Sequence, residues 1–438
     1  MNQKPDRRRF SRRDLLRLGG QGALVVAAGG LLPAAVGRMT SRFGAGEASA
    51  AKRSSGLLSP AGGPAAPALV PALEKRLAAT DGFIKLPGRD PLYVFGFLDV
   101  SGNFGDPPSA LDVYKGHVQA PAPILWVDED TDAEVKLTNI GLVVRPDLDD
   151  SHTIHWHGFR NQIAIFDGVP EVSIAVPVAR DFIYFFRPHE EGTYMYHCHF
   201  EDTEHVQMGM VGVVFVRPKQ NLGSGPIPPG KYAYNDGDGS TAYDREFALL
   251  VQDVWSTPHD NLASIQETIW TNYDPNYWVI NGRCYPDTVK PNKGEPGADP
   301  DLEAQPISSL IQMNEGERAL LRLVDLGYQQ HAMQLVGIPM NVVGEDATYL
   351  GPLPSGRADI SYSTNTAYIG PGESRDLLVT APPHSGGAGP DVYLFRNRNA
   401  DKLTNPGVSG LGGMATEVRV YPSGTLPAQA APNETYPV

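Results

Sequence analysis

Seven of the eleven histidines lie between residues 152 and 205. One group reads His152-Thr-Ile-His155-Trp-His157-Gly158. A second reads Tyr196-His197-Cys198-His199 and is followed by His205 and Met210. Imidazole, thiolate and thioether together suit copper or zinc rather than magnesium or calcium. One cysteine, two histidines and a weak axial methionine make the set of a blue electron-transfer copper. Structural zinc usually shows cysteines paired at short spacing, and the two cysteines here, Cys198 and Cys284, are far apart in sequence. A single disulfide between them is the alternative use of Cys198.

Spacing adds geometry. Alternate side chains of a strand share a face. His197 and His199 therefore point one way and Cys198 the other, while His155 and His157 share a face. One strand can then serve two metal sites, a thiolate on one side and its flanking imidazoles on the other. The elements needed to hold such faces are strands, and the chain is rich in them. Short β-rich runs with turns between them fill residues 90–217, among them AEVKLTN (133–139), DFIYFFRP (181–188) and MVGVVFVRP (210–218). A second series runs from EFALLVQDVW (246–255) to TEVRVYPS (416–423). Abundant Gly (47) and Pro (39) favour many turns over long helices. The expected fold class is all-β, two tandem Greek-key β-sandwich domains. The expected boundaries are a signal segment at 1–50, a linker or arm at 51–88, domain one at 89–218, a Gly/Pro/Asp-rich linker at 219–240, domain two at 241–425 and a tail at 426–438.

HTIHWHG resembles the H-x-x-H-x-H-G motif of multicopper oxidases, and YHCHFEDTEHVQMGM resembles their H-C-H…H-x4-M motif. FDGVP (166–170), WVINGRCYP, ERALLRLVDLGYQQHAMQLVG and GPGESRDLLV extend the resemblance over roughly residues 90–422. It implies cupredoxin domains and copper as cofactor. It implies His152, Cys198, His205 and Met210 as type 1 copper ligands, with Met208 a weaker axial candidate. It implies that His155, His157, His197 and His199 face a type 2/type 3 cluster. The implied function is an oxidoreductase in which electrons enter at the type 1 copper and pass through Cys198 to a cluster that reduces dioxygen. Its partners would be a small reducing substrate or redox protein, and dioxygen.

Two departures from that pattern bear on function. Cys198 and His205 are seven positions apart, against five in most of the family, and the insert contains the acidic Glu201-Asp202-Thr203-Glu204. A solvated loop is the plain reading of the insert; tuning of the site, or an oxidisable cation, is the functional one. The full cluster also takes eight histidines, and this chain offers two pairs. In domain two, His331-Ala-Met-Gln334-Leu-Val336 stands where H-x-x-H-x-H is expected, and Phe395-Arg396-Asn397-Arg398 stands near the H-C-H position. His331 reads as structural, and His117, His189, His259 and His384 as surface residues. A second copy in a homo-oligomer, another protein, or a smaller site would complete the cluster. The competing readings are a non-enzymatic blue-copper carrier or copper-binding protein, and an enzyme similar to copper nitrite reductases, with nitrite as acceptor.

Charge is uneven. Residues 1–50 hold nine Lys/Arg and three Asp/Glu, leaving 27 basic and 47 acidic residues beyond them. So acidic a remainder disfavours nucleic-acid binding. Residues 7–18 read RRRFSRRDLLRL, followed by an apolar Gly/Ala-rich run and Ala48-Ser49-Ala50. This is the layout of an export signal, and Ser11-Arg12-Arg13-Asp14-Leu15-Leu16 resembles the twin-arginine type. Six glycines and Pro33 interrupt the run, which disfavours a membrane anchor. A periplasmic or extracellular location is expected.

Overall fold

Two short-stranded β-sandwiches, each built from two sheets, make up the fold. The computed structural model describes residues 71–160, 163–352 and 356–437; the expected export signal lies outside them. The first sandwich contains β1 (Leu73–Ile84), β2 (Leu92–Asp99), β3 (Leu125–Asp128), β4 (Ala133–Asn139), β5 (His155–His157), β6 (Arg180–Phe186), β7 (Gly192–His197) and β8 (Val211–Arg217). Its sheets run β2-β1-β4-β6 and β3-β8-β7-β5. The second contains β9 (Arg245–Val254), β10 (Tyr277–Ile280), β11 (Ile311–Asn314), β12 (Arg318–Asp325), β13 (His331–Leu335), β14 (Met340–Glu345), β15 (Thr348–Tyr349), β16 (Tyr362–Thr364), β17 (Thr366–Ile369), β18 (Ser374–Thr380), β19 (Asp391–Asn397) and β20 (Ala415–Tyr421). Its sheets run β10-β9-β12-β18-β14-β15, with β16 on β14, and β11-β20-β19-β13-β17.

The two sandwiches repeat one plan. A parallel pair joins β1 to β4 and β9 to β12, and another joins β3 to β8 and β11 to β20. Burial follows the strand period where one face is wet: in β4, Ala133, Val135 and Leu137 are buried while Glu134 and Lys136 are not. β8 is instead apolar on both faces. Val214 and Val216 join the first core. Val211, Val213 and Phe215 pack on Ala248 and Leu250 of β9 and Val324 of β12. A strand buried on both sides reads as a continuous apolar run, and this one is how the first sandwich grips the second. Both lie in one compact unit.

Several segments differ from the sequence expectation. Residues 73–84, assigned to a linker for their small-residue content, form β1 at the centre of a sheet, because they pair with β2 and β4 along most of their length. In the expected linker 219–240, Tyr232, Ala233 and Tyr234 are buried. The expected tail is stitched on: Asn433 Nδ2 donates to the Ala248 carbonyl at 2.9 Å, and Ala248 N–H donates to Asn433 Oδ1 at 2.8 Å. The acidic insert is the first turn of a helix, α1 (Asp202–Met208), entered through Glu201 in a left-handed conformation. His259 is buried, with Nδ1 at 2.6 Å from the Tyr93 carbonyl. Cys198 and Cys284 are both free.

Candidate metal centre

β5 and β7 pair with His155 opposite His197 and His157 opposite Met195. Trp156 and Tyr196, between them, turn inward; Trp156 is buried against Phe186, ring centroids 4.4 Å apart. The histidines therefore emerge on the other face. Cys198 follows β7 and points back into the first core with Trp156 and Tyr196.

Around Cys198, the sulfur lies 3.3 Å from His205 Nδ1 and 3.9 Å from His152 Nδ1. Donor atoms of His152, Cys198 and His205 all fall within 4.8 Å of one another, and all three residues are buried. Thr153 N–H points at the sulfur from 3.4 Å. Met210 is tied in by its backbone: Cys198 N–H donates to its carbonyl at 3.0 Å, and its own N–H donates to the His205 carbonyl. Met210 and Met208 are both fully buried in the same core. Burial, then the neighbouring His205, holds the His152 imidazole well below its usual value. Burial alone would depress His205 too, but the Cys198 thiolate and the Asp150 carboxylate outweigh it and raise the group to about 10. A cysteine sulfur facing two buried imidazoles fits a soft-to-borderline metal, since each group ligates in its deprotonated form.

On the opposite face, donor atoms of His155, His157 and His197 lie within 4.8 Å of one another. His157 Nδ1 is 3.4 Å from His197 Nε2. His199 joins the ring cluster, its centroid 5.1 Å from that of His155 and 5.6 Å from that of His197. Burial lowers His155 and His157 and takes His197 down to about 3. These imidazoles are neutral at physiological pH, with nitrogen lone pairs ready for a metal. Four converging imidazoles again match a nitrogen-loving transition metal such as copper.

The supporting residues were less legible. Asp167 O accepts from His155 Nδ1 at 2.7 Å. That contact is set by Gly168, whose φ is +81° and where a Cβ would come 2.0 Å from the Ile154 carbonyl. FDGVP was the signal for it. Thr153 Oγ1 accepts the His199 N–H at 2.9 Å. Asp150 Oδ2 lies 3.7 Å from His205 Nε2, and Glu204 joins them. In the second sandwich, Gly372 reaches across to His157: a Cβ there would stand 3.2 Å from its ring. His117 and His189 are exposed, as expected.

Residues 112–221 match the family model described as "Multicopper oxidase". Laccase-3 of Oryza sativa subsp. japonica is 27% identical over 271 residues, which is 60% of this chain and 39% of that protein. The chain thus spans about two fifths of that relative's length. The blue copper oxidase of Nitrosomonas europaea superposes with a TM-score of 0.57 at 24% identity, over 79% of this chain and 85% of that one. The copper nitrite reductase of the same organism gives 0.53 at 17%, over 82% and 97%. Residues 112–221 are thus similar to a multicopper oxidase domain, and the chain has the cupredoxin fold of these solved structures.

Proposed function

We propose that this protein is an exported, copper-dependent oxidoreductase that takes electrons from a small reductant or redox partner and delivers them to dioxygen. The observation that carries this reading is the placement of two donor sets on opposite faces of the 197–199 segment. His152, Cys198, His205 and Met210 would hold a type 1 copper. His155, His157, His197 and His199 would hold copper behind it. Copper at these positions supplies one-electron chemistry that no side chain here can perform.

The residues supply the rest. Cys198 is one peptide bond from both His197 and His199, so the two sets are covalently continuous. The apolar first core keeps water from the sulfur. Asp167 and Thr153 fix the orientation of the second set. His199, with 31% of its side chain exposed, leaves that set open to a small acceptor.

Among the described residues, the second sandwich brings no histidine to this face. Pairing of β13 with β19 sets Gln334 opposite Arg396, as His155 stands opposite His197. A second copy of the chain is the proposed source of further ligands. The segment that holds His155 carries exposed Ile163, Ile165, Val172 and Ile174, an apolar rim suited to self-association. The depleted second sandwich is also what favours the blue-copper carrier as second reading. The nitrite reading needs a domain-two histidine, and His331 is buried with Asp253, Asn397 and Lys402 around it.

The test is His199→Ala in copper-loaded protein. The oxidase reading expects an unchanged blue absorption and oxygen uptake reduced at least about a hundredfold. Unchanged oxygen uptake would place reduction elsewhere, and no uptake in the parent protein would favour the carrier.

A further inference from the structure

The second sandwich contains a counterpart of the Cys198 site, residue by residue. Strand register fixes the correspondence. Cys198 and Asn397 end or follow equivalent strands, β7 and β19. Cys198 N–H donates to the Met210 carbonyl at 3.0 Å; Asn397 N–H donates to the Met414 carbonyl at 2.9 Å. His155 faces His197, one residue before Cys198, and Gln334 faces Arg396, one residue before Asn397. His152 and His331 each stand three residues before His155 and Gln334. Lys402 lies on a short turn, Ala400–Leu403, between Asn397 and Met414, as His205 lies on α1 between Cys198 and Met210.

These four side chains converge. His331 Nδ1 is 3.1 Å from Asn397 Nδ2 and 3.2 Å from Lys402 Nζ. Asn397 Nδ2 is 3.4 Å from Met414 Sδ. His331, Asn397 and Met414 are all at most 1% exposed, and Lys402 is 8% exposed. On the other side of the ring, His331 Nε2 faces Asp253 Oδ1 across 3.5 Å. The arrangement places an ammonium, an imidazole and a carboxylate in line, with the imidazole nitrogen that would ligate a metal accepting from Lys402 and Asn397 instead. An unpaired His331 Nδ1 in this interior would be costly, and the lysine removes that cost while supplying the positive charge.

We propose that the His331–Asn397–Lys402–Met414 pocket is a type 1-like metal pocket whose cation is the chain's own Lys402 ammonium, so that it excludes copper. The site is closed by two replacements, an amide where the thiolate stands and an ammonium where the second imidazole stands. It rests on reading the Cys198 group as a copper site, and wild-type blue absorption tests that reading separately.

The experiment uses the full chain in a Cys198→Ser background, which removes the first thiolate. Asn397→Cys and Lys402→His are added together, and both proteins are loaded with Cu(II). The proposal expects an intense thiolate-to-copper band absent from the Cys198→Ser parent, with one additional copper per chain. A folded variant, judged by circular dichroism, with no band and no added copper would overturn it. If that variant does not fold, Asn397→Cys alone in the same background decides. Its thiol, beside the Lys402 ammonium, should ionise below the ordinary value of about 8.5 in the difference absorbance against the parent. An ordinary or raised value would show that the ammonium does not govern the pocket.

Discussion

At the scale of single residues, the centre depends on what surrounds Cys198 as much as on the thiol. Its sulfur meets two imidazoles and a backbone N–H, so it is partnered on several sides. On the opposite face burial keeps His155, His157 and His197 neutral, and backbone oxygens aim His155 and His197. Gly168 shows how narrow that aim is. Gly168→Ala should strain a left-handed position and push the 166–168 turn off Ile154. The expected cost is about 1–2 kcal/mol, read by thermal unfolding. Release of His155 from Asp167 should follow, with weakened copper retention on this face and an intact blue band. Equal loss from both faces would mean that the glycine serves folding alone. The clustering of these histidines and Cys198 on two faces was legible in the sequence, because strand alternation is local and His-Cys-His can sort its side chains only one way. Asp150 and Thr153 were not, since they meet His205 and Cys198 across some 45–55 residues, while Glu204, next to His205, stood in an insert read as solvated.

At the scale of elements, α1 couples the two sandwiches. Tyr328 OH donates to the Thr203 carbonyl at 2.6 Å. Gln207 Nε2 donates to the Asp253 carbonyl at 3.2 Å, and Trp255 N–H donates to Gln207 Oε1 at 3.3 Å. The helix bearing His205 is thereby held from outside its own domain. Gln207→Ala should cost about 1–2 kcal/mol in unfolding free energy by leaving buried partners unpaired. It should also shift the blue band and its EPR parameters, which measure His205 placement. An unmoved spectrum would assign Gln207 to domain packing only. The acidic composition of 201–204 pointed to a solvated loop, and no local pattern announced a helix gripped by Tyr328. β1 was missed for a related reason. Its strand character comes from pairing with β4, some 60 residues on, and from Arg76, buried and spent on Thr138 and on the Asn103 and Asp106 carbonyls.

At the scale of the whole molecule, the two sandwiches are joined by a buried charge network as well as by β8. Arg322 is fully buried, bonds Glu246 Oε1 at 2.8 Å and Thr193 Oγ1 at 2.9 Å, and stacks on Phe215. Arg217 holds the second Glu246 oxygen at 2.7 Å. Arg322→Met keeps volume but strips Glu246 of its main partner, and about 3–5 kcal/mol of stability should be lost, measured by denaturant unfolding. Loss below about 1 kcal/mol would show that Arg217 alone suffices. The two-sandwich fold was legible from turn spacing and strand patterning. The docking of one sandwich on the other was not, because Arg322 and Glu246 look like ordinary surface charges until β7, β9 and β12 meet. Oligomer mass by light scattering, set beside copper content, checks whether copies of the chain complete the open histidine face. A monomer with a filled second set would remove the need for a partner.

The most direct measurement is copper per chain together with visible and EPR spectra, for the wild-type protein and for Cys198→Ser. The account predicts an intense blue band with a type 1 signal in the wild type. In Cys198→Ser both should vanish while copper on the histidine face remains. A blue band that survives loss of Cys198, or a copper-loaded wild type without one, would contradict it.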